Sequence, residues 1–309
     1  MDIALVGIGK IALDQHVPAI NASPDWTLAA TVSRAGTVDG IPAYTDFATM
    51  LADRPDIRVM SLCMPPVPRF DYARAALEAG RHVMLEKPPG ATLSECRTLE
   101  AAAQSRGLSL YATWHSREAA MVPAAKAWLK DQTLKDLRVV WKEDVRRWHP
   151  GQDWIWEPGG MGVFDPGINA LSIVTEILPN PIHLRAATLE VPEGRQAPIA
   201  ALLDFAHPHG ATVTADFDWR QEGTQTWSIE ATTEAGHMRL FDGGATLEID
   251  GETVASDPTD TLSGEYPRLY HKMAGLIASG ASDVDLSPLR HVADAFMLGR
   301  RNIVAPFHP

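Results

Sequence analysis

Cysteine is nearly absent from this chain. Cys63 and Cys96 are the only two among 309 residues. Two thiols make no disulfide framework, and Cys63 lies inside an apolar run, so a reducing, cytoplasmic setting is expected. Long hydrophobic runs are missing as well. No stretch approaches the roughly 20 apolar residues that cross a bilayer. The opening Met1-Asp2-Ile3-Ala4 carries no basic leader, so no signal peptide is expected. Positive charge is in deficit: the formal net charge is -12. That argues against nucleic acid and against an anionic membrane surface, both of which want a basic face. A phosphate at one local site remains compatible with it. H-E-x-x-H does not occur, and His149 and Asp153 share no recognised ligand spacing, so no metal site is expected. Repeats and low-complexity segments are lacking too.

What is present reads as a globular chain, 45% hydrophobic and 21% charged, long enough for one large or two ordinary domains. Ile3 to Val6 is a short apolar strand. Gly7-Ile8-Gly9-Lys10-Ile11-Ala12 follows as G-x-G-x-x-A. Gly7 permits the tight turn, Gly9 the approach of a pyrophosphate, and Ala12 the packing of helix on strand. The helix carries Ile11, Val17 and Ile20 and stops near Ser23-Pro24. Its N-terminal dipole favours an anion. The pattern alone is unspecific; its place, with a strand before and a helix after, points to a dinucleotide. The second strand, Thr27 to Val32, ends in Ser33-Arg34, where NAD proteins usually carry an acid for the ribose diol. An Arg there attracts a 2′-phosphate, so NADP is expected over NAD. The plain alternative for Arg34 is a solvated surface residue.

Strand and helix keep alternating. A short helix is expected over Asp46 to Leu51. A strand over Val59 to Met64 ends in Pro65-Pro66, whose loop should lie beside the nicotinamide. A helix over Tyr72 to Ala79 closes at Gly80. The run His82 to Leu85 then ends in Glu86-Lys87-Pro88-Pro89, which places Lys87 at a strand's carboxyl end on a stiff loop. Thr92 and Glu95 form a capping box, and Leu108 to Thr113 is the last strand of this half. The result is a parallel, doubly wound sheet.

Past a linking helix over Ala119 to Leu129, the pattern changes. Strands are expected over Leu137 to Val145, Ile182 to Val191, Pro198 to Phe205, Ala211 to Trp219, Thr226 to Thr233, His237 to Phe241 and Ala245 to Ile249. Alternation of Val213, Ala215, Phe217 and Trp219 with polar residues gives one covered and one wet face. Helices around Tyr266 to Ile277 and Pro288 to Arg300 close the chain. The fold class is therefore α/β: an N-terminal Rossmann domain over 1–118 and a C-terminal α+β domain with an open, mainly antiparallel sheet over 119–309.

Trp141, Trp148, Trp154 and Trp156 crowd one segment with Glu143, Asp144, His149, Asp153 and Glu157. Flat apolar faces beside carboxylates suit a polyhydroxylated ring. The bland alternative is a packed loop. Farther on, Asp165 and Asn169 lie four apart on one helix face, and Pro166 suits the first turn. Asp165 is then either an N-cap or a catalytic acid–base.

The segments M-L-E-K-P-P-G-A-T-L, A-T-W-H-S-R, W-K-E-D-V-R-R-W-H-P-G-Q and G-V-F-D-P-G-I-N-A-L-S-I-V-T carry a resemblance. Together with the glycine turn, the chain resembles the Gfo/Idh/MocA oxidoreductase family, and within it the bacterial 1-dehydrogenases of D-galactose and L-arabinose. The resemblance spans nearly the whole chain. It implies a cytoplasmic, homo-oligomeric (dimeric or tetrameric) enzyme that uses NADP or NAD to oxidise the anomeric C1–OH of an aldose such as D-galactose, L-arabinose or D-fucose. It implies Lys87 as the active-site lysine with a cis Lys87–Pro88 bond. It implies Asp165 and Asn169 as the acid–base pair, and Glu143, Trp148, His149 and Trp227 as sugar contacts. The dinucleotide would face Gly7, Gly9, Lys10, Ile11, Ser33, Arg34, Pro65, Glu86 and Lys87. One departure stands out: many relatives have His where this chain has Asn169. An amide takes no proton near neutral pH, which leaves Asp165, or neutral Lys87, as the base. Two alternatives stay open: an enzyme of the same fold acting on another polyol such as an inositol, and a catalytically silent sensor of sugar or cofactor.

Overall fold

The computed structural model describes residues 1–256 and 262–308. The chain clusters into two compact units, residues 1–118 with 262–286 and residues 119–261 with 287–309.

In the first unit, six strands run parallel: β1 (Asp2–Val6), β2 (Thr27–Val32), β3 (Ala43–Tyr44), β4 (Val59–Leu62), β5 (His82–Leu85) and β6 (Leu110–Ala112). Their order is β3-β2-β1-β4-β5-β6. The direction of strand addition reverses at β1, which opens a crevice beyond the carboxyl ends. Side-chain alternation divides the core between the two faces. Val6, Met60, Leu62 and Leu85 pack on one side. Ile3, Leu5, Val59 and Met84 pack on the other.

Two helices of this unit begin at a residue whose side chain caps them. The segment after the glycine turn winds first as a π turn over Ala12–His16 and then as α1 (Val17–Ala22). Asp46 caps α2 (Phe47–Asp53), its carboxylate accepting from Thr49 N at 2.7 Å. Helix α3 (Pro66–Glu78) starts earlier than the Tyr72 expected. Pro66 and Pro68 do not delay it, because a first turn has no backbone bond for a proline to remove. Thr92 and Glu95 close the expected capping box at the head of α4 (Leu93–Ser105).

The second unit begins with α5 (Val122–Leu129), β7 (Leu134–Lys142), α6 (Val145–Trp148) and α7 (Phe164–Ile177). It continues with β8 (His183–Pro192), β9 (Ala200–Ala206), β10 (Thr212–Asp218), β11 (Thr226–Thr233), β12 (His237–Phe241), β13 (Thr246–Ile249) and β14 (Glu252–Ser256). Asp250 and Gly251, both at positive φ, make the turn between β13 and β14. The chain then returns to the first unit with α8 (Leu262–Ser279) and ends in the second with α9 (Ser287–Leu298) and β15 (Arg300–Val304). The nine-stranded sheet has the order β14-β13-β12-β11-β7-β10-β9-β8-β15. Only the β10–β7 and β15–β8 pairs are parallel, so the sheet is mainly antiparallel. Val213, Ala215, Phe217 and Trp219 are buried as their alternation implied. Phe164 of α7 meets Phe217 edge-on at 6.1 Å.

Two expectations need correction. An uninterrupted second domain over 119–309 fails at α8, whose Tyr266, Leu269, Tyr270 and Met273 join the core of the first unit. The last helix does not reach Arg300: it ends at Leu298, and the chain becomes β15 beside β8.

Candidate functional site

The first unit gathers its candidates at the carboxyl ends of β1, β2, β4 and β5. Gly7 has φ +90°, and a Cβ there would lie 2.6 Å from Met64 N. Only glycine fits this turn. A Cβ on Gly9 would meet nothing within 4 Å. That open side is the cradle a pyrophosphate requires. Lys10 and Ile11 open the helix that follows, and Lys10 pairs with Asp14 one turn on. Ser33 stands at the end of β2, its hydroxyl accepting from Ala35 N at 3.1 Å and Gly36 N at 3.3 Å. Arg34 is exposed and makes no ion pair among the described residues. These features fit a dinucleotide carrying a 2′-phosphate.

Pro65 is the N-cap of α3. Its loop is tied to the lysine loop by a residue that sequence reading missed. The guanidinium of Arg69, 2% exposed, donates to the Met64 carbonyl through Nε at 3.1 Å. The same group donates to the carbonyls of Glu86 and Pro88. The Lys87–Pro88 bond is cis, and Lys87 is half-buried.

Glu86 turns away from the crevice into a buried network. Its carboxylate accepts from Lys87 N at 2.5 Å and from the Tyr266 hydroxyl at 2.7 Å. His16 Nε2 is 3.3 Å from Glu86 Oε1, close enough for an ion pair though not aligned as a hydrogen bond. His16 Nδ1 meets the Tyr270 hydroxyl at 2.7 Å, and Tyr270 in turn meets Ser61 at 3.2 Å. Beside them His115 Nδ1 lies 2.5 Å from Glu265 Oε2. Burial opposes charge on Glu86, but His16 and then His115 and Tyr266 outweigh it and pull its pKa down to about 2. Burial likewise opposes charge on His16, and Cys63, Tyr270 and Glu86 outweigh it, raising its pKa.

A pH prediction follows from this pair. An acid depressed from 4.5 to about 2 stabilises the fold above the unfolded value and loses that stabilisation as pH falls toward the folded one. The Glu86 share is roughly 3 kcal/mol, an order of magnitude only. His16 runs the other way: its contribution is present below its ordinary pKa and lost as pH rises through the raised one. Urea midpoints of the wild type and Glu86→Gln should therefore converge as pH drops from about 4.5 to about 2. Midpoints that stay apart at the acid end would mean that the carboxylate is not the group responsible.

The second unit assembles a separate cluster around α7. Gly162, at φ +54°, packs where a Cβ would strike the Pro198 carbonyl at 2.2 Å. Its own carbonyl accepts from Asp165 N at 2.8 Å. Asp165 is the second residue of α7, and the N-cap is Val163. The capping alternative for Asp165 therefore falls away. Asp165 is 5% exposed, with Oδ2 lying 3.2 Å from His149 Nε2. Asn169, one turn on, is half-buried, and its side-chain amide has no hydrogen-bond partner among the described residues.

Glu143 follows β7 and is 6% exposed. Its two oxygens accept from the indoles of Trp219 at 3.2 Å and Trp227 at 3.0 Å. Burial pushes its pKa up, and Asp165 adds to this; Trp219, His149 and Trp227 pull the other way. Trp148 lies 5.9 Å from Trp227, and its indole donates to Gln225 at 3.2 Å. His149 packs against Trp219 at 5.1 Å. Five of the expected residues, Glu143, Trp148, His149, Asp165 and Trp227, are thus linked in one unit, with Asn169 on the same helix as Asp165. Trp141 and Trp156 are core. Trp219, Gln152 and Gln225 were missed. Trp219 could have been found, because it continues the inward phase of β10. Among the described residues no three His, Cys, Asp or Glu are arranged to hold a metal ion, and no helix is long and apolar enough to cross a membrane.

Comparison with known proteins bears on what these clusters do. Residues 1–113 match the Gfo/Idh/MocA oxidoreductase family, described by its NAD-binding Rossmann fold. The chain is 42% identical to galactose 1-dehydrogenase of Pseudomonas fluorescens, over 99% of this chain and 98% of that one. It superposes on the crystal structure of D-galactose-1-dehydrogenase from Rhizobium etli with a TM-score of 0.94 at 56% identity, covering 99% and 97% of the two chains. A 3-ketoreductase from Actinomadura kijaniata, solved with NADP, shares the fold at a TM-score of 0.83 and 18% identity, over 98% of this chain and 99% of that one. With a parallel Rossmann sheet, a glycine turn open to a pyrophosphate and a relative of this identity along its whole length, the chain belongs to the Gfo/Idh/MocA family of NAD-binding oxidoreductases.

Proposed function

We propose that this oxidoreductase is a cytoplasmic NAD(P)-dependent aldose 1-dehydrogenase, with D-galactose as its substrate. The observation that carries the reading is full-length similarity to a galactose 1-dehydrogenase, at 56% identity, in a chain that keeps Lys87 and the buried Asp165. The first unit binds the dinucleotide, which when bound accepts the hydrogen and electron pair from C1. The second unit holds the sugar. Its tryptophan faces stack on the C–H face of the ring, while Glu143 accepts from hydroxyls. Asp165 takes the O1 proton as the O1–H bond breaks, and the closing C1=O bond gives the lactone. Lys87 balances the negative charge that develops on O1. Asn169, with its amide uncommitted, orients the hydroxyl. Glu86 acts one step back, holding the Lys87 N–H. Homo-oligomerisation is part of the same reading, and sedimentation velocity tests it.

The decisive assay is the absorbance of reduced nicotinamide with NADP or NAD against a panel of aldoses. D-Galactose should give the highest kcat/KM. L-Arabinose, its pyranose lacking the exocyclic CH2OH, and D-fucose should follow within a few kcal/mol, about the most a pocket extracts from one such group. Saturable cofactor binding with no turnover of any sugar would mark a sensor instead.

Arg34 decides between the two cofactors. Arg34→Asp would remove a charge-assisted contact to the 2′-phosphate and substitute repulsion. The loss should be roughly 3 kcal/mol or more, about a hundredfold in the KM for NADP. NAD, with no 2′-phosphate, should lose little. Equal losses for both would remove Arg34 from the phosphate site.

A further inference from the structure

His149 lies between two fixed partners. On one side Nε2 is 3.2 Å from Asp165 Oδ2. On the other, Nδ1 is 3.2 Å from Gln152 Oε1. The identity of that amide atom is settled by a third group. The Trp154 indole reaches the same position at 3.2 Å. An indole N–H only donates, so the amide atom facing both rings is the oxygen, an acceptor. His149 Nδ1 must then carry a proton.

This has a consequence on the Asp165 side. A neutral imidazole protonated on Nδ1 presents a bare lone pair at Nε2. Facing a carboxylate oxygen at 3.2 Å, that lone pair is repelled. One proton placed between the two atoms converts repulsion into a charge-assisted hydrogen bond. Within the second unit the buried carboxyl of Glu143 also faces this pair. We propose that Gln152 is a positioning residue: it holds His149 in the Nδ1–H tautomer, so that His149 and Asp165 share a single proton and act as one proton acceptor. The catalytic meaning rests on the aldose dehydrogenase reading above. In the reactive state the pair carries no shared proton. The proton leaving O1 of the sugar forms a bond to the Asp165 carboxylate and passes to Nε2 of His149, leaving an imidazolium beside a carboxylate. The pair returns this proton to solvent before the next turnover. Gln152 raises the proton affinity of the pair by denying His149 the alternative tautomer, in which Nε2–H would already satisfy Asp165.

Two substitutions pull this apart in opposite directions. Gln152→Leu frees Nδ1, so the neutral ring adopts the Nε2–H tautomer and donates to Asp165. The deprotonated pair is stabilised, and the acid limb of the kcat profile moves down by roughly one pH unit. Gln152→Glu keeps an acceptor at Nδ1 and adds negative charge, so the limb moves up by a comparable amount. The KM for the dinucleotide stays put in both. A purely structural role for Gln152 would not produce shifts of opposite sign.

A second readout needs no turnover. In the full-length protein, ¹⁵N spectra of the histidine rings, with His149 assigned through His149→Gln, should show Nδ1 protonated in the wild type and in Gln152→Glu. They should show Nε2 protonated and Nδ1 bare in neutral Gln152→Leu. A wild-type His149 that is neutral and protonated on Nε2 overturns the proposal. So do limbs that shift the same way or not at all. If no sugar is turned over, the aldose reading fails while the tautomer measurement still decides the pairing. If Gln152→Leu does not fold, the wild-type spectrum and Gln152→Glu suffice.

Discussion

Asp165→Ala should turn over D-galactose roughly 10²–10⁴-fold more slowly than the wild type, the usual worth of a positioned general base. The expectation rests on where the carboxylate is. Asp165 is 5% exposed, in the first turn of α7, beside His149. Water does not readily replace a base in so enclosed a position. Asn169 cannot take over, because an amide is not basic near neutral pH. The KM for the dinucleotide should hardly move, since a general base is needed for the proton transfer and not for cofactor binding. Asp165→Asn separates chemistry from packing: it keeps the shape of the side chain and removes the base, so it should be nearly as slow as the alanine variant. Single-turnover measurement of nicotinamide reduction makes the comparison without interference from product release. Recovery in Asp165→Asn would show that volume mattered and basicity did not. Normal turnover in Asp165→Ala would end the assignment outright.

How much of this was legible beforehand differs between the two units. The glycine turn was readable because strand, G-x-G-x-x-A and helix follow one another within a short stretch, and Gly7 answers a local steric demand. The covered face of β10 was readable for the same reason: period-two alternation is local. The Glu86 network was not. The Tyr266 hydroxyl that binds it lies 180 residues away in sequence, and no pattern near Glu86 announces a buried carboxylate. Return of α8 to the first unit was equally hidden, because an apolar stripe on a helix states that it will be covered, not by which domain. Asp165 could be narrowed to cap or acid–base, and the backbone removed the first of these by placing the cap at Val163. Gln152 sits in a tryptophan-rich loop where a glutamine reads as solvated. Its role emerges only once the Trp154 indole and the His149 ring are seen to converge on one oxygen.

Arg69 is the strongest case of a residue invisible in sequence and costly to remove. A single arginine in Pro-Val-Pro-Arg-Phe reads as a surface charge at the start of a helix. In the fold it is 2% exposed and donates to the carbonyls of Met64, Glu86 and Pro88. Arg69→Leu leaves two buried acceptors, on Glu86 and Pro88, and a half-buried one on Met64 without that donor, at roughly 1–3 kcal/mol each and about 3–5 kcal/mol in all after relaxation. That is a large part of the stability of an ordinary domain. The denaturant midpoint should therefore fall sharply. Function should fall with it, because Met64 borders the glycine turn and the Glu86 carbonyl leads into Lys87. Dinucleotide affinity and kcat should both drop in whatever fraction stays folded. Arg69→Lys is the informative partner. It preserves the charge, but one ammonium does not span acceptors on two loops as a planar fork does. It should recover part of the stability and little of the kcat. If instead Arg69→Leu unfolds at the wild-type midpoint, the two loops are held by their own backbones and the guanidinium is incidental.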